Sequence, residues 1–261
     1  MIHVICFYWQ GDRWQQKDYQ EPDGYENDQQ AFMNRAGIVA DDLPSQYVNN
    51  LYHGVKRFAN QPFKFICFTN ELMNTDPEIE VRSFNPPTRV GVLPRMWMYS
   101  KEAGLFGHQV LCLDLDIVIV GSLAPLMDYK GLFCARSKFR RGEEFKLDGD
   151  IMSFRAGSES EALLWTPFIE DVALAEKETG GRERYWYRMM VQDIADRWEK
   201  IAPGKVLSYK WHVQKFRKRE EPTRSKRTPR QLPLKNASIV SFHGKPRPHE
   251  AKDNWIKDYW K

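Results

Sequence analysis

The chain has 261 residues, with 39 Lys and Arg against 35 Asp and Glu and a formal net charge of +4. This length suits one α/β domain with a sizeable core. No apolar run is long enough to span a membrane, and Met1-Ile2-His3-Val4 is typical of a first core strand, not of a signal peptide.

The cysteines are four in number, widely spaced and set in apolar runs: Cys6, Cys67, Cys112 and Cys134. This pattern is typical of small buried side chains in a reducing compartment, and zinc-type C-x-x-C spacing does not occur. We therefore expect a cytoplasmic protein.

Strands and helices are predicted to alternate along the chain. The predicted strands are Ile2–Phe7, Phe63–Phe68, Glu78–Phe84, Gln109–Leu113, Leu132–Ala135, Ile151–Phe154 and Ser238–Phe242. The predicted helices are Ser45–Phe58, capped by Ser45, then Pro94–Ala103, ended by Gly104 or Gly107, then Glu161–Ala175 and Glu183–Ile201. A polar loop or flap is expected at 10–30. The alternation predicts a mostly parallel sheet flanked by helices, whose ligands bind beyond the carboxyl ends of the strands. Trp9, Asn70, Asp114 and Asp116 are expected along that edge.

An apolar run at 111–121 is interrupted only by Asp114 and Asp116. On a strand, side chains at i and i+2 point the same way, and buried carboxylates need a partner. Hard oxygen ligands suit Mg²⁺ or Mn²⁺, so the pair is interpreted as a metal site. The alternative is a strand end whose two aspartates cap a turn.

The second candidate is the turn His243-Gly244-Lys245-Pro246-Arg247-Pro248, which follows a short strand. Histidine is a common metal ligand, and lysine offers a compact cation for phosphate. With the carboxylate pair, this turn makes a plausible site for a metal-bound diphosphate. The alternative is a polar turn after a strand.

Seven segments, in the same order along most of the chain, carry a resemblance. They are Val4–Trp9, Gln46–Tyr52, Phe65–Asn70, Leu113–Asp116, Asp150–Gly157, Leu207–Lys210 and His243–Pro246. In these segments the chain resembles a nucleotide-sugar glycosyltransferase of the GT-A fold, similar to bacterial and phage relatives of the glycogenin and lipopolysaccharide galactosyltransferase group. The D-x-D and the His-Gly-Lys-Pro turn are the specific part of the match.

The resemblance implies one Rossmann-like GT-A domain over residues 1–261, with an insertion at 12–44. It implies a metal-dependent enzyme that moves a hexose from a UDP-sugar to a hydroxyl acceptor, such as a surface glycan precursor. The metal ligands would be Asp114, Asp116 and His243, holding Mn²⁺ or Mg²⁺.

The remaining candidate residues have roles in donor binding or at the reacting sugar. Phe7, Tyr8 and Trp9 would contact the base and ribose, Lys245 a phosphate oxygen, and Arg95 the sugar or diphosphate; otherwise Arg95 is a solvated helix residue. Asp148 and Asp150 would bind sugar hydroxyls or act as a base, and Gln192 and Asp193 would face the reacting sugar. Each of these four is otherwise a surface residue.

The segment 214–235 contains nine Lys and Arg against two Glu, a net +7, and three prolines. It is predicted to be a mobile loop, either a solvated insertion, a lid over the diphosphate or a patch for an anionic acceptor or membrane. Glycosylation of a modified DNA base, or nucleic-acid binding through this segment, is the alternative function. The acidic remainder of the chain argues against binding as its whole role. A nucleotidyltransferase is disfavoured because 8–12 is not a glycine-rich phosphate loop.

Overall fold

The computed structural model describes residues 1–9, 43–139, 142–143, 145–213 and 234–261. The predicted loop at 10–30 and nearly all of the predicted insertion at 12–44 lie outside the described residues. So does the basic segment at 214–235, apart from Leu234 and Lys235. Within the described residues, no helix is long and apolar enough to cross a membrane.

The main sheet has seven strands within the described residues. They are β1 (Ile2–Phe7), β2 (Phe63–Phe68), β3 (Glu80–Arg82), β4 (Gln109–Leu113), β6 (Phe133–Ser137), β7 (Leu147–Arg155) and β8 (Asp196–Arg197). Their order across the sheet is β3-β2-β1-β4-β7-β6-β8. Only β7 runs antiparallel to its neighbours, so the predicted mostly parallel sheet is confirmed.

A second sheet has three strands in the described part of the chain. They are β5 (Ile117–Ile119), β9 (Val206–Ser208) and β10 (Ile239–Ser241), in the order β5-β10-β9. Since β5 follows β4 after only three residues, the chain passes from one sheet to the other at residues 114–116. The D-x-D therefore lies at the junction of the two sheets.

Helices cover both faces of the main sheet. The α-helices are α1 (Leu43–Phe58), α2 (Ala124–Met127), α3 (Ser158–Ser160), α4 (Thr166–Glu170), α5 (Val172–Thr179), α6 (Glu183–Met190), α7 (Trp198–Ile201) and α8 (Asn254–Tyr259). The 3₁₀ helices are Leu93–Tyr99, Lys101–Ala103, Leu234–Asn236 and Pro248–Glu250, and single π-turns occur at Glu161–Trp165 and Tyr209–Val213. The single helix predicted at Pro94–Ala103 is instead the first two of these 3₁₀ helices, separated at Ser100. Gly104, in the left-handed region with φ 67°, ends the second one, as predicted.

Three sequence predictions of element bounds are wrong for local reasons. Ser45 does not cap α1; it lies inside the helix, and its hydroxyl accepts the Asn74 backbone N–H at 3.0 Å. The strand predicted at Glu78–Phe84 is only β3, because the Asn70 side chain takes both backbone groups of Phe84. The helix predicted at Glu161–Ala175 breaks at Asp171, whose carboxylate caps α5 by accepting the Leu174 N–H at 2.8 Å.

The helix predicted at Glu183–Ile201 is also wrong beyond Met190. α6 ends there, and the chain turns to add β8 beside β6. Trp198 then buries its indole completely, and its Nε1 donates to the Ile151 carbonyl at 3.0 Å. Burial of this large side chain against the sheet therefore overrides helical periodicity.

The core occupies both faces of the main sheet. Along β4, Val110 and Cys112 belong to the cluster under the 3₁₀ helices and α6, whereas Leu111 and Leu113 belong to the cluster under α1. All four cysteines are buried and free, as their apolar settings predicted.

Candidate functional site

The two aspartates of the D-x-D lie in a turn between strands. β4 ends at Leu113, β5 begins at Ile117, and the Ile117 N–H donates to the Asp114 carbonyl at 3.2 Å. Alternation along a strand therefore does not set their directions, contrary to the sequence argument. The turn that the alternative interpretation predicted is present, and it directs the two carboxylates to different partners.

Asp114 contacts a buried arginine. Its Oδ1 lies 2.7 Å from Nη1 of Arg95, and the same nitrogen lies 2.8 Å from Oε1 of Glu183. Arg95 Nη2 donates to the Gly149 carbonyl at 3.0 Å and to the Cys112 sulfur at 3.3 Å. Arg95 is only 5% exposed. The interpretation of Arg95 as a solvated helix residue is therefore wrong; it is a buried cation that orients Asp114.

Asp116 contacts an arginine from the turn after β10. Its Oδ2 accepts from Nη1 of Arg247, and its backbone carbonyl accepts the Phe242 N–H at 3.1 Å. Burial raises the pKa of Asp116, and the charge of Arg247 opposes that rise. The His243 turn is thus brought to the D-x-D as predicted, with Arg247 as the residue in contact.

The start of β7 places two further carboxylates at the same edge. The Asp114 N–H donates to the Asp150 carbonyl at 2.9 Å. Asp150 and Asp148 both accept from the buried guanidinium of Arg136, the latter at 3.1 Å, and Asp150 also accepts from the Ser241 hydroxyl at 2.6 Å. Although burial opposes it, Arg136 holds the pKa of Asp148 below its usual range. Neither aspartate is an exposed surface residue.

His243 lies against this group of charges. Its Nε2 is 2.6 Å from the Ser208 hydroxyl, and its ring stacks on Phe139 with 5.6 Å between centroids. Burial and the charge of Arg136 lower the pKa of His243 to about 4. The imidazole is therefore neutral at neutral pH, the state that metal ligation requires.

The end of β1 reaches the same edge of the sheet. In the parallel register Ile5 is level with Cys112, so Phe7 comes level with Asp114. Phe7 is buried and stacks on Phe68 with 4.9 Å between centroids. Tyr8 and Trp9 are half-buried, and the buried Trp9 Nε1 has no hydrogen-bond partner among the described residues. Phe7 is thus a packing residue, whereas Trp9 offers an unused donor.

Gln192 and Asp193, which follow α6, and Lys245, in the His243 turn, lie in different surroundings. Gln192 is half-buried, and its side chain accepts the Leu147 N–H at 3.2 Å and donates to the Phe145 carbonyl. It therefore holds the start of β7. Asp193 is exposed on the turn after α6. Lys245 is exposed beside Arg247, as a phosphate contact requires.

A divalent cation suits these residues in chemistry. Asp114, Asp116 and His243 supply hard oxygens and a neutral imidazole. In the described residues, however, no three acidic, histidine or cysteine side chains are grouped closely enough to hold a metal. The carboxylates are balanced by arginines instead. A metal would therefore have to exchange with an arginine that now contacts a carboxylate.

Sequence reasoning missed several residues that organise the site. In the sequence, Arg136 is marked only weakly, as a charged residue at the end of an apolar run. Arg247 lies in the turn after the last strand, where Lys245 is the expected phosphate contact, and no local pattern marks Glu183 as the partner of Arg95. Each acts through a contact between residues at least 12 positions apart, which no single-segment pattern contains.

The fold is that of GT-A glycosyltransferases. Against solved structures the chain is similar to the galactosyltransferase LgtC in complex with donor and acceptor sugar analogs, at TM-score 0.55 and 11% identity over 95% of this chain and 89% of that one. It is similar to an active-site mutant of LgtC at TM-score 0.57 and 10% identity, over 98% of this chain and 93% of that one. These similarities confirm the predicted fold class.

A third similar structure is the glycosyltransferase GlyE of Streptococcus pneumoniae TIGR4, at TM-score 0.58 and 12% identity. The whole chain aligns with 60% of that protein. No protein-family model matches the chain, and no curated protein matches it by comparison.

Proposed function

We propose that the chain is a glycosyltransferase that moves a hexose from a UDP-sugar to a hydroxyl acceptor. The observation that carries the proposal is the group of acidic residues and arginines at the carboxyl edge of a GT-A sheet. Asp114, Asp116 and Asp148 lie there with Arg136 and Arg247. Breaking a glycosyl–phosphate bond leaves negative charge on the diphosphate, so cations fixed at this edge suit the reaction.

We further propose that the site uses Mn²⁺ or Mg²⁺, with Asp116 and His243 as ligands and Asp114 beside them. When bound, the cation would stabilise the charge on the leaving diphosphate. The partner of Asp116 is the exchangeable one, since Arg247 lies on a turn, whereas the partner of Asp114 is buried among four contacts.

The other candidates take roles that follow from their positions. Trp9 has an unused donor next to the edge of the sheet and is suited to the base or ribose, with Tyr8 beside it. Lys245 would contact a phosphate oxygen. Asp148 and Asp150 would face the transferred sugar, fixed in direction by Arg136. Gln192 would act by holding Leu147, next to Asp148, and Asp193 stays a proposed contact to the sugar or acceptor.

The cytoplasmic location is likewise part of this proposal. It rests on the four buried, free cysteines, which are the state that a reducing compartment maintains.

The test is calorimetry of UDP binding with and without Mn²⁺. We expect binding that depends on the metal, and a loss of about tenfold or more in affinity in Asp116→Asn, because the amide cannot replace a charged metal ligand. Asp258→Asn, on the exposed C-terminal helix, is the matched control and should bind like the parent. Equal UDP affinity with and without metal would contradict metal dependence, and no UDP binding at all would contradict the proposed donor.

A further inference from the structure

Three arginines surround a single tyrosine on α6. The guanidinium carbons of Arg182, Arg184 and Arg188 lie 5.9, 5.6 and 4.9 Å from the centroid of the Tyr185 ring. All four side chains are half-buried. Cations can each be attracted to an aromatic face, but three of them around one ring also repel one another. This surface, residues 182, 184, 185 and 188, is called the α6 arginine cluster below.

Two arginines of the cluster, Arg184 and Arg188, lack a carboxylate of their own in the described part of the chain. No carboxylate there forms an ion pair with Arg184 or Arg188, and the buried Nε of Arg184 has no hydrogen-bond partner. Asp148 interacts electrostatically with both arginines, Glu183 with Arg184 and Glu143 with Arg188. Each of these carboxylates is already paired with another cation: Asp148 with Arg136, Glu183 with Arg95, and Glu143 with Lys138 and Lys146. Donors buried without acceptors are costly, which indicates that an external acceptor completes the group.

The positive charges of the cluster affect the pKa of its tyrosine. Burial works to raise the pKa of Tyr185, yet a hydrogen bond from Arg182 and the charge of Arg184 leave that pKa below its ordinary value. Burial and the charge of Arg184 also lower the pKa of Arg188, against the opposing charge of Asp148. The Tyr185 phenol thus lies in a positive local potential, although Asp148 and Glu183 raise the pKa of Arg184.

The cluster stands on a rigid base. The Gly181 carbonyl accepts the Val92 N–H at 2.8 Å, and a Cβ on Gly91, whose φ is 57°, would collide with that carbonyl oxygen. At the other end, Nε and Nη2 of Arg188 donate to the Leu147 carbonyl at 2.8 and 2.7 Å. The backbone before α6 and the guanidinium of Arg188 are therefore held in place before any ligand arrives, which lowers the entropic cost of binding.

The cluster also borders the proposed active site. Glu183, the first residue of α6, contacts Arg95 and through it Asp114, and Leu147 precedes Asp148. Asp116 and the His243 turn, which we assign to the diphosphate, have a different arginine, Arg247. We propose that the α6 arginine cluster binds a phosphate or carboxylate group of an anionic acceptor, next to the sugar being transferred. That the bound molecule is an acceptor rests on the proposed glycosyl transfer, whereas the anion site itself does not depend on it.

Inorganic phosphate is the probe. In ¹⁵N-labelled protein at constant ionic strength, we expect the Nε–Hε signals of Arg184 and Arg188 to shift saturably as phosphate is added. Arg184→Gln/Arg188→Gln should weaken phosphate binding about tenfold or more. The matched control is Arg155→Gln, on the exposed end of β7, which should bind phosphate like the parent. The single variant Arg184→Gln, which leaves the hydrogen bonds from Arg188 to Leu147 intact, should keep the circular dichroism spectrum and the UDP affinity of the parent.

Three results would overturn the inference. Shifts spread over all exposed arginines, or equal phosphate affinity in the double variant, would remove the site. Loss of the Arg184 and Arg188 shifts when UDP and Mn²⁺ are present would mean that the anion bound there is the donor diphosphate. If the double glutamine variant folds poorly, Arg184→Lys/Arg188→Lys is used in its place. This variant keeps both charges but loses the planar guanidinium groups, so we expect an intermediate affinity for phosphate. Phosphate binding is measured in the absence of any sugar donor. Its result therefore tests the anion site even if the protein fails to bind UDP.

Discussion

Asp114 and Asp116 are one residue apart in sequence, yet their arginine partners have opposite characters. Arg95 is buried and is shared among Asp114, Glu183, Gly149 and Cys112. Arg247 lies on a turn with 23% of its side chain exposed, and it reaches Asp116 from the far end of the chain. Arg95 is part of the core, although the side chain of Asp114 is 36% exposed, whereas the partly exposed Arg247 covers an Asp116 side chain that is only 12% exposed.

This difference suggests a division of labour within the D-x-D. A cation buried among several acceptors cannot leave without exposing unpaired charges, so the direction of Asp114 is fixed. A cation on a turn can be replaced, which leaves Asp116 open to exchange its arginine for another cation. Substitutions on each side in turn test this contrast.

Arg95→Met should have the largest effect, a loss of about 3–5 kcal/mol in the free energy of unfolding, because Glu183 and Asp114 would lose their shared cation. Urea unfolding followed by circular dichroism measures it. Arg89→Met, at an exposed position, should change stability by less than about 0.5 kcal/mol. A loss below about 1 kcal/mol in Arg95→Met would show that the buried network contributes little.

The next expected effect is a pH dependence of the free energy of unfolding. It comes from His243, which lies on the same turn as Arg247. Its pKa is lowered from the ordinary 6.5 to about 4 in the folded protein. Between these values the unfolded chain binds more protons, so the free energy of unfolding falls as pH drops from about 6.5 to about 4. Each pKa unit corresponds to about 1.4 kcal/mol, so the total is roughly 3 kcal/mol.

His243→Phe should remove this part of the pH dependence while keeping the stacking on Phe139. Urea unfolding at several pH values from about 4 to about 7, on the variant and the parent, gives the difference between the two slopes. The carboxylates titrate in both proteins and cancel. Parallel pH profiles would mean that His243 is protonated equally easily in both states.

Lys245→Ala should weaken metal-dependent UDP binding by about 1.5–3 kcal/mol, since it removes a charge-assisted contact to phosphate. Calorimetry with UDP and Mn²⁺ measures this, and the exposed Lys252→Ala is the control. If both variants bind UDP like the parent, the lysine is only part of a polar turn.

Arg247→Met should have the smallest effect on stability, about 1 kcal/mol, because Arg247 is partly exposed and water can take its place beside Asp116, although Asp116 itself is only 12% exposed. The comparison with Arg95→Met, measured by the same urea unfolding, is the direct test of the contrast. A loss as large as that of Arg95→Met would show that both carboxylates belong to the core. The same variant should also bind Mn²⁺ at least as well as the parent, measured by the electron paramagnetic resonance signal of free Mn²⁺.

The sequence by itself determined the strands of the sheet and the edge that carries the site. Apolar runs of about four to six residues place β1, β2 and β4, and the polar residues that follow them mark the carboxyl ends. The order of motifs also predicted the GT-A fold, which the similar structures confirm. These features are local, because each is encoded in neighbouring residues.

The tertiary structure alone decided how the charged residues are paired. Arg95 with Glu183, Arg136 with Asp148 and Arg247 with Asp116 each join separate segments. Burial makes such pairing necessary, but it does not say which arginine meets which carboxylate. The end of α6 was settled in the same way, since the gain from burying Trp198 against the sheet exceeds the helical preference of the residues before it.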